Sequence, residues 1–156
     1  MSADCLLAID QGTTSSRAVI VGPSGTIIAE DRCEFPQHYP RPGWVEHDLE
    51  DIWDSVLSSV TSAIEKLPGG WNRIAALGVT NQRETVGIWE RRSGRPVSRA
   101  IVWQCRRTAE MCDTLRRDHA DALHRLTGLT VDPYFSGPKL RWLLDNTPGV
   151  RARIGE

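Results

Sequence analysis

The chain has 156 residues, 40% of them apolar and 25% charged, a profile that suits one sizeable core and predicts a single globular domain. No window approaches the roughly 18 consecutive apolar residues of a membrane span, and the N-terminus lacks the basic stretch and apolar core of a secretory signal, so a cytoplasmic protein without a membrane partner is expected. The net charge of −1 sums two unlike halves, with 5 basic and 11 acidic residues in 1–82 against 14 and 9 in 83–156, yet the pairs Arg91-Arg92, Arg106-Arg107 and Arg116-Arg117 are too scattered among acids to form a nucleic-acid stripe.

In chain order, residues 6–10 form a short apolar run and residues 16–21 a β-branched one, separated by a polar turn. Residues 26–35 alternate as a third strand, so an antiparallel meander opens the domain. Three prolines between positions 36 and 42 cannot donate to a ladder and end it. Leu49, Ile52, Trp53, Val56, Leu57, Val60, Ala63, Ile64 and Leu67 then recur at helical spacing. Asp48 is placed to cap that helix, Glu50 and Asp51 favour its positive end, and Pro68-Gly69-Gly70 ends it. Residues 73–80 read as a buried strand, and 86–90 with 100–103 as a hairpin around Ser93-Gly94. Three further helices are expected over 107–117, 119–126 and 136–145. The sum is an α/β protein, a mixed sheet flanked by helices. Cys5, Cys33, Cys105 and Cys112 lie 28, 72 and 7 positions apart, neither a zinc half-site nor a compact disulfide framework, so four reduced thiols are expected.

Two hydrophilic segments carry candidate chemistry. Asp10-Gln11-Gly12-Thr13-Thr14-Ser15-Ser16-Arg17 combines a carboxylate, a glycine, four hydroxyls and a guanidinium. Gly12 lets backbone N–H groups approach an anion, Thr13, Thr14 and Ser15 add donors, Arg17 neutralises charge, and Asp10 is placed to hold Mg²⁺ directly or through water. No Gly-Lys-Ser/Thr follows, so this is not a Walker A loop, and on spacing alone an ordinary polar hairpin stays open. Thr80-Asn81-Gln82-Arg83-Glu84-Thr85 follows the strand of 73–80, where sites concentrate. Arg83 and Glu84 offer rigid donors beside an acceptor, suited to a small polyhydroxylated molecule, or else a surface ion pair. Trp103 and Tyr134 each pair an apolar face with a polar edge, which suits a polyol's carbons and hydroxyls or a half-buried core position.

These segments, with Pro42-Gly43-Trp44-Val45-Glu46-His47-Asp48, Val102-Trp103-Gln104-Cys105-Arg106-Arg107-Thr108 and Asp132-Pro133-Tyr134-Phe135-Ser136-Gly137, resemble in sequence and order the glycerol kinases, within the carbohydrate kinases of ribonuclease-H-like, actin-like ATPase fold. The resemblance spans nearly all of residues 1–156 and the N-terminal third of such an enzyme, so an incomplete N-terminal domain is expected, without the adenosine-binding domain. It implies ATP and Mg²⁺ as cofactors, with Thr13, Thr14, Ser15 and Arg17 on the phosphates and Asp10 near the metal. It further implies that Arg83, Glu84 and Tyr134 bind glycerol hydroxyls and that Trp103 packs on its carbons. The implied reaction moves the ATP γ-phosphoryl group to glycerol, giving glycerol 3-phosphate. The catalytic base is expected outside this segment, which alone is expected to be inactive, and the full-length enzyme is expected to be a homo-oligomer. Alternatives are a kinase of the same family for another polyol or sugar, and a non-catalytic actin-like regulatory module. One departure is Pro138, where the family usually has threonine before the lysine matching Lys139; near a helix start it implies a local effect only.

Overall fold

The N-terminal meander forms as the alternation requires in the computed structural model, which describes residues 3–154. β1 (Cys5–Gln11), β2 (Ser15–Val21) and β3 (Ile27–Glu34) pair antiparallel in sequence. Cys5, Leu7, Ala18, Ile20 and Ala29 point to one side and are buried, while Leu6, Ala8, Asp10 and Arg17 are exposed on the other. α1 (Leu49–Glu65) covers the buried side and adds Val60, Ala63 and Ile64 to that core. Each large aliphatic side chain buried there contributes about 1.5–3 kcal/mol.

Most of the apolar stripe of α1 faces the core, with Val56 packed against Val60, Ala63 and Ile64, but the contact is shifted to one edge of that stripe. Trp53 and Leu57 are 61% and 46% exposed, whereas Ser55 and Ser59 are buried. Ser55, Ser59 and Ala63 recur every fourth residue, and their small side chains let the helix sit close on the sheet. Inside this contact Ser55 Oγ donates to the Ile52 carbonyl at 2.7 Å, leaving it to accept from Ser16 Oγ at 2.8 Å. Ser16, one of four hydroxyls in the first polar segment, is thereby committed to the core.

After α1 the glycines act as expected. Gly69 and Gly70 take φ of 92° and 55°, a left-handed conformation that costs glycine little. β5 (Ile74–Asn81) then joins β1 in parallel, giving the sheet order β3-β2-β1-β5. Arg73 donates to both carboxylate oxygens of Asp4 at 2.9 and 3.0 Å, tying the approach of β5 to the start of β1 and holding the Asp4 carboxyl below its usual range. The expectation of a buried strand over 73–80 is corrected, because Leu77 and Val79 are 58% and 66% exposed. They are the register partners of Leu7 and Ile9 and face the helix side, but α1 packs mainly over β2 and β3, and of β5 Ile74 packs against its core.

The contacts divide the chain into two units, one running to Pro36 and including Leu49–Gln82, the other comprising Gln37–Asp48 and everything from Arg83. In the second unit β4 (Glu46–His47) pairs antiparallel with β6 (Ala100–Ile101). The expected hairpin of 86–90 with 100–103 appears as separate bridges, Val86 to Ile101 and Trp89 to Pro96. Pro96 has no N–H to extend a ladder, and β6 gives its other edge to β4. α2 (Ala109–Thr127) is one helix where two were expected, because no glycine or proline interrupts it before Gly128. α3 (Ser136–Asn146) closes the unit and takes Pro138 in its first turn.

Ile101, Cys105 and Leu143 form the core of this unit with Trp44 and Trp142 against them. The Arg107 guanidinium lies 3.9 Å over Trp44 and 4.7 Å over Trp142, and donates to Glu46 at 2.7 Å. A buried cation is tolerable there because both its charge and its π-face are matched. All four cysteines are free thiols. Among the described residues no helix is long and apolar enough to cross a membrane.

Candidate active site

The first polar turn is short and closed. Gly12-Thr13-Thr14 joins β1 to β2, and the Gly12 N–H donates to the Ser15 carbonyl at 2.9 Å. A Cβ at position 12 would lie 3.2 Å from that same carbonyl oxygen, so the bend leaves little room for a side chain. Asp10 is the cross-strand partner of Arg17 and the parallel neighbour of Thr80, which places all three on the side of the sheet away from α1. Arg17 is ion-paired with Glu30 on β3. Thr14 is exposed, and Thr13 and Ser15 are half-buried.

The turn has a brace that the sequence does not reveal. The Gln82 side-chain amide donates to Gln11 Oε1 and to the Gly12 carbonyl, both at 3.2 Å, and the Gln82 backbone N–H donates to the Gln11 carbonyl at 2.7 Å. Gln11 Nε2 donates to the same Gly12 carbonyl at 2.7 Å. Two amides thus fix one peptide of the turn. The parallel pairing of Gln11 with Asn81 brings them together, and a contact between residues so far apart in sequence leaves no local signal.

In the second unit the polar and aromatic candidates converge. The rings of Trp103 and Tyr134 meet edge to face with centroids 6.0 Å apart, and Tyr134 meets Phe135 likewise at 5.1 Å. Glu84 Oε2 accepts from the Ser136 backbone N–H at 2.8 Å and from Ser136 Oγ at 2.6 Å. Its other oxygen has no partner among the described residues. Arg83 is exposed, and among the described residues the Glu84 carboxylate is engaged by Ser136 and not by Arg83. Asp132 Oδ1 accepts from the Tyr134 N–H at 2.8 Å and from Arg106 at 3.2 Å, setting the bend before α3. Ser136 and Lys139, absent from the sequence-based set, contact Glu84 directly. Lys139 is fully buried, and burial pushes its ammonium down to about 8 against the opposing pull of Glu84.

Chemically, the first group is a donor-rich bend beside one carboxylate. That suits a polyphosphate with Mg²⁺, which takes one or two carboxylates and keeps its remaining positions for water and phosphate oxygens. No cluster of three or more His, Cys, Asp or Glu residues able to hold a metal by itself occurs among the described residues. The second group is a carboxylate acceptor and two amphipathic rings, the equipment for a small polyol.

The model of the FGGY family of carbohydrate kinases, N-terminal domain, matches residues 5–156. The chain belongs to this family. Among its FGGY relatives, the glycerol kinase of Gluconobacter oxydans is 56% identical over 151 residues, covering 96% of this chain and 29% of that protein. The glycerol kinase of Thermococcus onnurineus is 50% identical over 148 residues, covering 95% and 30%. A crystal structure of Plasmodium falciparum glycerol kinase with ADP superposes with a TM-score of 0.88 at 30% identity, over 97% of this chain and 30% of that one. A xylulose kinase from Rhodospirillum rubrum gives 0.85 at 25% identity, over 95% and 31%. The chain therefore spans about 30% of the length of its relatives. These likenesses identify the mixed sheet as part of the ribonuclease-H-like, actin-like fold of FGGY kinases.

Proposed function

We propose that this chain is the N-terminal part of a glycerol kinase and supplies phosphate-binding and acceptor-binding residues for transfer of the ATP γ-phosphoryl group to glycerol. The acceptor hydroxyl attacks the γ-phosphorus, the bond to the bridging β–γ oxygen breaks, ADP leaves, and the hydroxyl proton passes to a base. That base and the adenosine pocket are assigned to residues beyond this span. Phosphoryl transfer depends on positioning and on stabilising charge at the moving group. Thr13, Thr14, Ser15 and Arg17 donate to phosphate oxygens on this reading, and Asp10 holds Mg²⁺, which neutralises phosphate charge. Arg83, Glu84 and Tyr134 orient glycerol hydroxyls while Trp103 covers its carbons. A cytoplasmic, homo-oligomeric whole enzyme completes the reading.

The observation that carries it is the convergence of Trp103, Tyr134 and a half-engaged Glu84 carboxylate at the start of α3. Identity of 50–56% to glycerol kinases, against 25% to the xylulose kinase, favours glycerol over a sugar as acceptor. The test is a chimera in which this chain replaces the matching part of the G. oxydans enzyme. It should form glycerol 3-phosphate from ATP and prefer glycerol across a panel of polyols and sugars. Arg83→Ala and Glu84→Gln should each raise the glycerol KM about tenfold or more, the effect of an unpaired group in a polar pocket. Unchanged glycerol KM in both would overturn the assignment.

A further inference from the structure

Glu84 is the only non-glycine residue with positive φ among the described residues, at 64°. A glutamate has no local hydrogen bond of the kind that eases this conformation for Asn or Asp, so surrounding contacts must hold it there. One turn of α3 grips it at both ends. Ser136, at the first position of the helix, takes the carboxylate through its N–H and its hydroxyl. Lys139, three residues on and therefore on the same face, sends Nζ to the Glu84 carbonyl at 3.0 Å. The same ammonium donates to the carbonyls of Tyr134 and, at 3.3 Å, Phe135.

The chemistry of that ammonium is specific. Of the 19 basic residues in the chain 17 are arginine, and the only lysines are Lys66 on the surface and Lys139. A guanidinium is a flat fork, whereas an ammonium places three N–H donors tetrahedrally, one toward each of three converging carbonyls. A fully buried lysine is costly to charge, and here its three donors are met by three backbone carbonyls.

We propose that Lys139 is a positioning residue for the acceptor site, its ammonium locking Glu84 in the left-handed conformation and Tyr134 beside Trp103, so that carboxylate and ring are set before the polyol arrives. This rests on the polyol-site reading above. Glycerol is small and offers few contacts, so the affinity gained from it depends on groups already in place.

Two measurements test this. In the chain itself, ¹⁵N-lysine NMR has only two ammonium groups to resolve. The Lys139 signal should exchange slowly with water and show couplings to the Glu84 and Tyr134 carbonyl carbons. Exchange as fast as that of Lys66 would overturn the proposal, and this measurement needs no variant to fold. In the chimera, Lys139→Met should raise the glycerol KM about tenfold while the ATP KM stays within twofold, measured well below the melting temperature of the variant. Equal loss for both substrates would mark Lys139 as merely structural and overturn the proposal. If Arg83→Ala and Glu84→Gln raise the glycerol KM but Lys139→Met does not, the positioning role alone fails. If none of the three does, the polyol-site reading fails and the role with it.

Discussion

Arg17 and Glu30 are both close to half exposed, and an ion pair of that kind contributes about 0–1 kcal/mol. Arg17→Gln should therefore shift the urea midpoint by little. On the phosphate role proposed for it, the same change should raise the ATP KM of the chimera about tenfold or more, because a charge-assisted contact to phosphate is lost. A large loss of stability with an unchanged ATP KM would make Arg17 a structural residue. His47 shows the opposite case, a titratable group with a structural task. It is fully buried, its Nε2 lies 2.6 Å from Gln37 Oε1, and burial, with a smaller push from His38, lowers it from 6.5 to about 4. Between those values the unfolded imidazole takes a proton that the folded one refuses, so stability falls as pH falls through the window, by on the order of 1–3 kcal/mol at its lower end. His47→Gln, which cannot titrate, should flatten that part of the stability–pH curve in denaturant titrations, and equal slopes in both proteins would contradict it.

α1 was legible as a helix because its apolar residues keep a 3.6 period, and the period placed Val56, Val60, Ala63 and Ile64 on the core side, but it did not show that the contact runs on through Ser55 and Ser59 and leaves Trp53 and Leu57 outside. The serines at 55 and 59 carry no hydrophobic signal; inside the contact Ser55 is satisfied by Ser16 and the Ile52 carbonyl, and Ser59 by the Val56 carbonyl. Two substitutions separate the faces. Ala63→Leu, at a fully buried position, should cost about 1–3 kcal/mol through overpacking. Trp53→Ser, at an exposed one, should fall within about 0.5 kcal/mol of the parent chain by urea unfolding. The reverse order would put Trp53 in the contact face and Ala63 outside it. The same distinction governs what else could be read in advance. The meander, α1 and the two polar segments follow from local alternation, glycines and clustered donors. The two-residue β4 is too short to show a period, and the Gln82 brace and the Lys139 clamp are contacts across long stretches of chain, set by strand register and helix placement. Local chemistry thus located the residues expected to touch ligand, and tertiary structure alone disclosed those that hold them.

At the scale of the whole molecule, β5 is an unbalanced surface. Its sequence Ile-Ala-Ala-Leu-Gly-Val-Thr-Asn carries no charge, it pairs with β1 along one edge, and its side chains from Ala75 to Asn81 are exposed. Edge strands are ordinarily protected by lysine, proline, a bulge or a covering element; β5 has none of the first two, and α1 packs mainly over β2 and β3. Leu77 and Val79 extend the row begun by Leu7 and Ile9 beyond the reach of α1, so the apolar face continues into solvent. A strand of this composition favours pairing over solvation, and since the chain spans about 30% of the length of its relatives, part of their remaining length is available to cover it. The isolated chain should therefore self-associate with rising concentration through this edge. Light scattering on the double variant Leu77→Lys with Val79→Lys should show a monomer at concentrations where the parent chain forms larger species. A parent chain that stays monomeric throughout, or a double variant that associates as readily, would show that β5 is not the adhesive surface.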